Sequence, residues 1–131
     1  MRKLSIVLII LSVVILAGTL LFFYLQNKKE PDFTFYYDPG EPFITDICGS
    51  RRLLKTDIIL KLSDKRKEKY YQENNHRIRN EIIFVLRGKT EAELESSTGH
   101  NELVREILKR LNEAFETDEF LDVYFNEFVM Q

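Results

Sequence analysis

The chain has 131 residues, with 19 Lys and Arg against 21 Asp and Glu, so its formal net charge is −2 at pH 7. This length allows one ordinary domain in addition to a membrane segment. A nucleic-acid partner is disfavoured, because phosphate binding needs a basic surface and residues 27–131 are mildly acidic (17 − 21 = −4). The single cysteine, Cys48, excludes an intrachain disulfide framework and a cysteine-cluster zinc site.

The first predicted element is an uncharged apolar segment, Leu4–Leu25. As a helix its 22 residues would span about 33 Å, which is enough to cross a hydrocarbon core of about 30 Å. A secretory signal usually has only about 7–15 apolar residues before its cleavage site, and here apolar residues continue past the small residues Ala17-Gly18-Thr19. We therefore predict an uncleaved transmembrane helix over 4–25.

Positive charges at the beginning of the chain predict its orientation. Arg2 and Lys3 precede the apolar segment, while Lys28 and Lys29 follow it. The leading segment is very short, and short positively charged segments stay inside the cell. We therefore expect residues 1–3 in the cytoplasm and the remainder of the chain outside the cell membrane, with one helix contacting lipid.

Residues 26–42 are predicted to connect the membrane helix to a folded domain. The turn-forming sequence Asp38-Pro39-Gly40 is incompatible with a regular helix. Four aromatic residues crowd the same stretch: Phe33, Phe35, Tyr36 and Tyr37. Because clustered apolar side chains tend to find partners, the segment either packs on its own domain as a short strand, which is favoured, or contacts another protein near the membrane.

Two antiparallel strands are predicted at the beginning of the extracytoplasmic domain, 43–131. The first is Phe43–Cys48, and the second, Arg52–Leu62, alternates between apolar and polar residues. Gly49-Ser50 lies between them and suits a tight hairpin. The second strand therefore has one buried face, formed by Leu54, Thr56, Ile58, Leu60 and Leu62.

Two main helices follow these strands. Asp64 can cap a first, long helix that ends at Gly88, and residues 65–75 in its first half are nearly all charged or polar. A short turn with a capping-box pattern, Thr90–Glu93, comes next, before a second helix over about Thr98 to Phe115 with an apolar stripe. We expect the helices to cover one face of a small sheet.

The last predicted element is a strand, Leu121–Gln131, with apolar residues on both faces, which favours a central or heavily covered position. The element order after the membrane helix is then β-β-α-α-β. This order predicts an α+β fold with antiparallel strands covered by two main helices.

No constellation for catalysis or cofactor binding is found. Gly88-Lys89-Thr90 resembles the end of a phosphate loop, but the leading glycine position holds Ile83 and the segment leaves a helix. His76 and His100 are 24 positions apart on separate predicted helices, a spacing that does not converge on a metal. We therefore predict no catalytic, cofactor-binding or metal-binding residues and no cofactor.

Five short blocks follow one another behind the apolar segment. They are Tyr37-Asp38-Pro39 with Phe43-Ile44, then Arg52–Lys55, then Ile78–Leu86 with Lys89-Thr90, then a helix with Leu103, Arg105, Glu106, Ile107, Leu108, Leu111 and Asn112, and finally Val123–Gln131. In this order they resemble the flagellar basal-body-associated FliL family. Asn80 stands where the family usually has an acidic residue and Asn126 where it has a hydroxyl residue.

The resemblance implies a non-enzymatic single-pass membrane protein of the bacterial flagellar basal body. Members of the family associate with the motor's stator units as a ring of subunits, support flagellar rotation in swimming, swarming and chemotaxis, and have exported domains with a stomatin/SPFH-like fold. The alternative is a generic membrane-anchored stomatin-like scaffold unrelated to motility. An anchored envelope hydrolase is disfavoured, because no nucleophile–base pair is visible.

Two contact surfaces are hypothesised on this basis. The first is a stator contact just outside the membrane through Phe33, Phe35, Tyr36 and Tyr37. The second is self-association through the charged segment that begins with Lys65, Arg66 and Lys67. For this segment a solvated helix face is an equally good interpretation.

Overall fold

The computed structural model describes residues 1–28 and 32–131 and forms two compact units, Met1–Asp32 and Phe33–Gln131. The first unit contains one helix, α1 (Arg2–Gln26), which includes the predicted span 4–25. This helix is long and apolar enough to cross a membrane, and none of its side chains is buried. Within the predicted connector, residues 29–31 lie outside the described residues.

The second unit is built on an antiparallel sheet with a long central strand. Its strands are β1 (Phe35–Tyr37), β2 (Phe43–Asp46), β3 (Leu53–Leu62) and β4 (Phe120–Met130). β1 and β2 pair with opposite halves of one edge of β3, and β4 pairs along its other edge. β2 and β3 pair antiparallel as predicted, with Asp46 opposite Leu53, but the six residues 47–52 connect them in place of the predicted tight turn at Gly49-Ser50.

The aromatic segment packs on its own domain, the alternative that was favoured from the sequence. Phe35 lies opposite Leu62 and Tyr37 opposite Leu60, so both aromatic rings are buried under the helices. The folded unit therefore begins at Phe33, earlier than the expected boundary at 43. The cause is the two-residue period of the strand, which makes Phe35 and Tyr37 part of the core.

Four helices and one 3₁₀ turn connect β3 to β4. The turn is Lys65–Lys67, and the helices are α2 (Glu68–Glu73), α3 (Asn75–Arg87), α4 (Glu91–Glu95) and α5 (Gly99–Phe115). Asp64 caps the turn as predicted, because its carboxylate accepts from the Arg66 N–H at 3.1 Å. The capping box at Thr90 and Glu93 and the end of α3 at Gly88 are also confirmed.

The prediction of one continuous helix from Asp64 to Gly88 is wrong. Asn74 interrupts it with a non-helical backbone (φ −105°, ψ 18°), and its side-chain amide donates to the Tyr70 carbonyl at 2.8 Å. Asparagine favours such local side-chain to backbone bonds over helix continuation. The break separates α2, which belongs to the charged segment, from α3. These two helices can therefore take different orientations.

The core lies between the helices and one face of the sheet. All five residues predicted for the inner face of β3 are buried, together with the apolar stripes of α3 and α5: Leu54, Thr56, Ile58, Leu60, Leu62, Ile78, Ile82, Leu86, Leu103, Ile107 and Leu111. This arrangement confirms the α+β class with helices on one side. Within the second unit, no element packs on the opposite face of the sheet.

The prediction of a central or heavily covered last strand is wrong. β4 lies at an edge of the sheet, and no strand of the described ranges pairs with its outer side. The pairing register between β3 and β4 shifts twice, so that Asn126 and Leu121 of β4 have no residue opposite them on β3. Such β-bulges are common at sheet edges, where they disturb pairing with another chain. The apolar residues on the second face of β4, including Tyr124 and Val129, are therefore partly exposed.

The capping box of α4 predicts a specific dependence of stability on pH. The hydrogen bond from the Thr90 backbone N–H lowers the pKa of Glu93 below its usual range. A carboxylate with a depressed folded pKa stabilises the domain above its unfolded pKa of about 4.3, and the stabilisation is lost as the pH falls through the folded value.

We expect the urea midpoint of the wild type to fall more between pH 6 and pH 3 than that of Glu93→Gln. Glutamine keeps a neutral capping bond, so only the contribution of the charge is removed. Pulse proteolysis in urea at both pH values measures the midpoints. An equal loss of stability in both proteins would contradict the assignment.

Candidate interaction surfaces

The four aromatic residues of the hypothesised stator contact divide into buried and exposed pairs. Phe35 and Tyr37 belong to the core, whereas Tyr36 is 66% exposed and Phe33 is 38% exposed. The Tyr36 ring packs edge-on against Tyr124 of β4, with 5.8 Å between the ring centroids. A partner can therefore reach Tyr36 and part of Phe33 without disturbing the fold.

A polar clasp formed by Tyr37, Asn75 and Arg79 holds the turn after β1 against α3. The Tyr37 hydroxyl donates to the Asn75 side-chain oxygen at 2.7 Å, and burial raises the pKa of this tyrosine. The Asn75 amide donates to the Pro39 carbonyl at 3.0 Å. Arg79 donates to the carbonyls of Pro39 (3.1 Å) and Glu41 (2.8 Å). The clasp therefore fixes the orientation of β1, and with it the outward direction of Tyr36.

Sequence reasoning did not identify this clasp. Arg79 was noticed only as part of the block Ile78–Leu86, and Asn75 only as the end of the charged segment. Both residues contact a loop more than thirty positions earlier in the chain. No local pattern reports contacts at that separation.

The charged segment is largely engaged within the domain. Arg66 forms a bidentate pair with Asp64 (2.9 and 3.0 Å), and its guanidinium lies 4.5 Å from the centroid of the Phe33 ring. The hydrogen bond from Arg66 lowers the pKa of Asp64. For the Lys65 side chain, the described residues provide no ion pair.

Lys67 joins a second internal network. It pairs with Glu119, and Glu119 also accepts a hydrogen bond from the hydroxyl of the buried Tyr71. The hydrogen bond to Glu119 raises the pKa of Lys67. Reversing the charge of Arg66 or Lys67 would therefore disturb the fold as well as any external contact, which leaves Lys65 as the informative position of the three.

The uncovered side of the sheet, which we call the open face, combines apolar and charged side chains. Its apolar members are Tyr36, Ile44, Leu53, Ile59, Tyr124 and Val129, and its charged members on β3 and β4 are Lys55, Asp57, Lys61, Asp122 and Glu127. Lys55 pairs with Glu127 at 3.5 Å. The aromatic pair Tyr36 and Tyr124 lies on this face, so the hypothesised contact residue belongs to a larger surface.

A second exposed apolar feature lies on the helix layer, and we call it the Phe84 ridge. Phe84 is 62% exposed, and the Arg110 guanidinium lies 4.0 Å from the centroid of its ring. Two depressions of about 320 and 450 Å³ flank this side chain, and Gly88 lines both of them. Phenylalanine and arginine are both enriched in protein interfaces relative to the rest of the surface. The feature of the sequence that could have indicated this surface is the position of Phe84 on α3, outside the apolar stripe that faces the core.

The remaining residues considered from the sequence lie apart from these surfaces. The His100 ring packs on Phe125, with 4.7 Å between centroids, and the thiol of Cys48 is exposed. Over residues 1–28 and 32–131, the structure contains no group of three or more potential metal ligands.

Comparison with known proteins gives two concordant matches. A family model described as flagellar basal body-associated protein FliL matches residues 36–131. The chain is also 28% identical over 103 residues to a protein named "Flagellar protein FliL" from Aquifex aeolicus (strain VF5). This match covers 77% of the chain and 64% of the relative, so the chain spans less than two thirds of that relative's length. The matched range, 36–131, includes the polar clasp and the Phe84 ridge. It also includes β2, β3 and β4 and all of β1 except Phe35.

Proposed function

Because this chain belongs to the FliL family of flagellar basal-body-associated proteins, we propose that it associates with the stator units of the motor and supports flagellar rotation. In this proposal α1 is a single membrane anchor, residues 1–3 lie in the cytoplasm, and the domain lies outside the membrane. The role is non-enzymatic and needs no cofactor. The alternative of a scaffold unrelated to motility is not retained, because the family is flagellar.

Tyr36 is the observation that carries the proposed stator contact. It is the most exposed of the four aromatic residues, and the polar clasp fixes the strand that presents it. Only residues 27–34 separate the end of α1 from β1. Eight residues reach at most about 30 Å when fully extended, so Tyr36 stays close to the membrane, where a stator linker would emerge.

The test is in-cell crosslinking from a photoreactive residue at position 36 of the full chain. We expect recovery of the exported stator subunit, and no recovery from the control position Asn101, which is exposed on α5. Tyr36→Ala should reduce swarming at unchanged protein level, because the side chain is exposed and its loss should change the free energy of unfolding by less than about 1 kcal/mol. Normal swarming and no stator crosslink would contradict the proposed contact.

Self-association into a ring and a stomatin/SPFH-like relationship of the domain complete the proposal. An antiparallel sheet covered by helices on one face agrees with such a relationship. Of Lys65, Arg66 and Lys67, Lys65 is the one whose charge can be reversed without breaking an ion pair between described residues. A ring also needs two different, complementary surfaces on each copy, because its interface is head to tail.

A further inference from the structure

We propose that copies of this chain join head to tail by docking the Phe84 ridge of one copy onto the β4 side of the open face of the next. The inference rests on the proposed self-association and specifies the two surfaces that meet. The occupant of the open face is thus a second copy of the chain, contacting it mainly at Tyr124 and Asp122.

The two surfaces are the principal apolar areas that the domain leaves uncovered, and they lie on opposite layers. Phe84 projects from α3 in the helix layer, whereas Tyr36, Tyr124 and Val129 lie on the far side of the sheet. Exposed clusters of this kind indicate interaction sites. A head-to-tail contact covers both on every copy within an assembly, whereas an isologous contact through either surface leaves the other uncovered.

The charges of the two surfaces are complementary. The residues that line the two depressions beside Phe84 include four basic side chains, Arg87, Lys89, Lys109 and Arg110, and two acidic ones, Glu106 and Glu113. On β3 and β4 the open face has three acidic side chains, Asp57, Asp122 and Glu127, and two lysines, Lys55 and Lys61, so the ridge is net positive and the open face is net negative. Arrangements of this kind guide association and fix the register of an interface.

The distance between Phe84 and Arg87 on the ridge is similar to the distance between Tyr124 and Asp122 on the open face. Phe84 and Arg87 are three residues apart on a helix, which places their Cβ atoms about 5–6 Å from each other. Tyr124 and Asp122 are two residues apart on one face of a strand, about 6.6–6.8 Å along its length. Phe84 can therefore pack on Tyr124 while Arg87 reaches Asp122.

Arg87 is available for this contact. Within the chain it pairs with Asp46 at 3.6 Å, but both side chains are strongly exposed. Exposed pairs of this kind contribute little to stability, so exchanging Asp46 for Asp122 of another copy costs little. The depressions beside Phe84 also leave room for the Tyr124 ring.

Pairing through the free edge of β4 is the less favourable way to join two copies. The extra residues at Leu121 and Asn126 interrupt the regular spacing of backbone donors and acceptors that another strand would need. The open face itself is not interrupted at Asp122–Tyr124, which pair regularly with Lys61 and Ile59.

The test is cysteine crosslinking between two differently tagged full-length chains in membranes, both carrying Cys48→Ser. One chain carries Phe84→Cys and the other Tyr124→Cys. We expect a heterodimeric crosslink with a short bismaleimide when both chains are present, and none from two Phe84→Cys chains or two Tyr124→Cys chains. Asn101→Cys paired with Tyr124→Cys is the matched negative control.

A charge exchange tests the register. Arg87→Asp and Asp122→Arg should each reduce the crosslink about tenfold, because each places like charges opposite one another. Both substitutions in the same chain should restore it to within about twofold, since every interface then regains an opposite pair.

Four outcomes would overturn the inference. A crosslink between two Phe84→Cys chains would show an isologous contact, and a crosslink from Phe84→Cys to a stator subunit would assign the ridge to that partner. Absence of the 84–124 crosslink, while an amine-reactive reagent still joins wild-type copies, would place self-association on another surface. If that reagent joins no copies either, the proposed self-association fails together with the inference, while the stator contact at Tyr36 is judged by its own crosslink.

Discussion

Truncating Tyr71 to alanine is expected to lower the free energy of unfolding by about 4 kcal/mol. Tyr71 is the single buried residue of α2, with 1% of its surface exposed. Its ring packs edge-on against Phe120 (5.3 Å between centroids) and Phe115 (5.9 Å), which belong to β4 and α5. Losing the ring removes the side chain that anchors α2 on the core. It also leaves a cavity between α2, α5 and β4.

Tyr71→Phe is the matched control, because it keeps the ring and removes only the hydroxyl. Glu119 then loses one donor but keeps Lys67, so we expect a cost of about 1 kcal/mol. Pulse proteolysis in urea on the detergent-solubilised full chain measures both variants. Equal losses for Tyr71→Ala and Tyr71→Phe would mean that the hydrogen bond, and not the packing, holds α2.

Replacing Gly99 by alanine is expected to cost about 3 kcal/mol. Gly99 is buried at the first position of α5, where an added Cβ would lie 1.9 Å from the Glu93 carbonyl oxygen and 3.1 Å from its carbonyl carbon. Both atoms are backbone, so no change of rotamer can relieve the clash. The junction of α4 and α5 has to move, which disturbs the packing of both helices on the core.

Gly88→Ala is the control for the loss of glycine at a helix boundary. Its Cβ would meet the Val85 carbonyl oxygen at 3.5 Å, an ordinary contact, and Gly88 already has a helical φ of −79°. We expect this variant to lie within about 1 kcal/mol of the wild type, with a small stabilisation from the lower entropy of the unfolded chain. The same urea measurement compares the two. A Gly99→Ala protein as stable as Gly88→Ala would refute the close approach.

The clasp and the contact of Arg66 with the Phe33 ring have a common consequence for the proposed function. The clasp holds β1 and its turn against α3, while Arg66 stacks on Phe33 at the beginning of the domain. The segment next to the anchor is therefore tied to the helix layer by side chains from two places. This rigidity leaves Tyr36 in one defined direction, which is what a residue that contacts a partner near the membrane requires.

The sequence by itself determined those features that depend on near neighbours in the chain. The apolar length of α1, the alternation of β3 and the caps at Asp64 and Thr90 were all predicted correctly. Each results from periods of two or 3.6 residues, or from a side chain that bonds a backbone group within three residues. The family resemblance was also readable, because its blocks keep their order along the chain.

Only the tertiary structure decided which of these residues remain available to a partner. Lys67 was predicted to lie on a contact between copies or on a solvated helix face, but Glu119, 52 positions later, engages it. β4 was predicted to be central or heavily covered because it is apolar on both faces, yet it lies at an edge. The alternation of side chains along β1 buried Phe35 and Tyr37 and exposed Tyr36. Phe84 stayed largely exposed, with only the Arg110 guanidinium of α5 against its ring. These outcomes depend on pairs of residues far apart in the chain, and local periodicity carries no information about which distant surfaces meet.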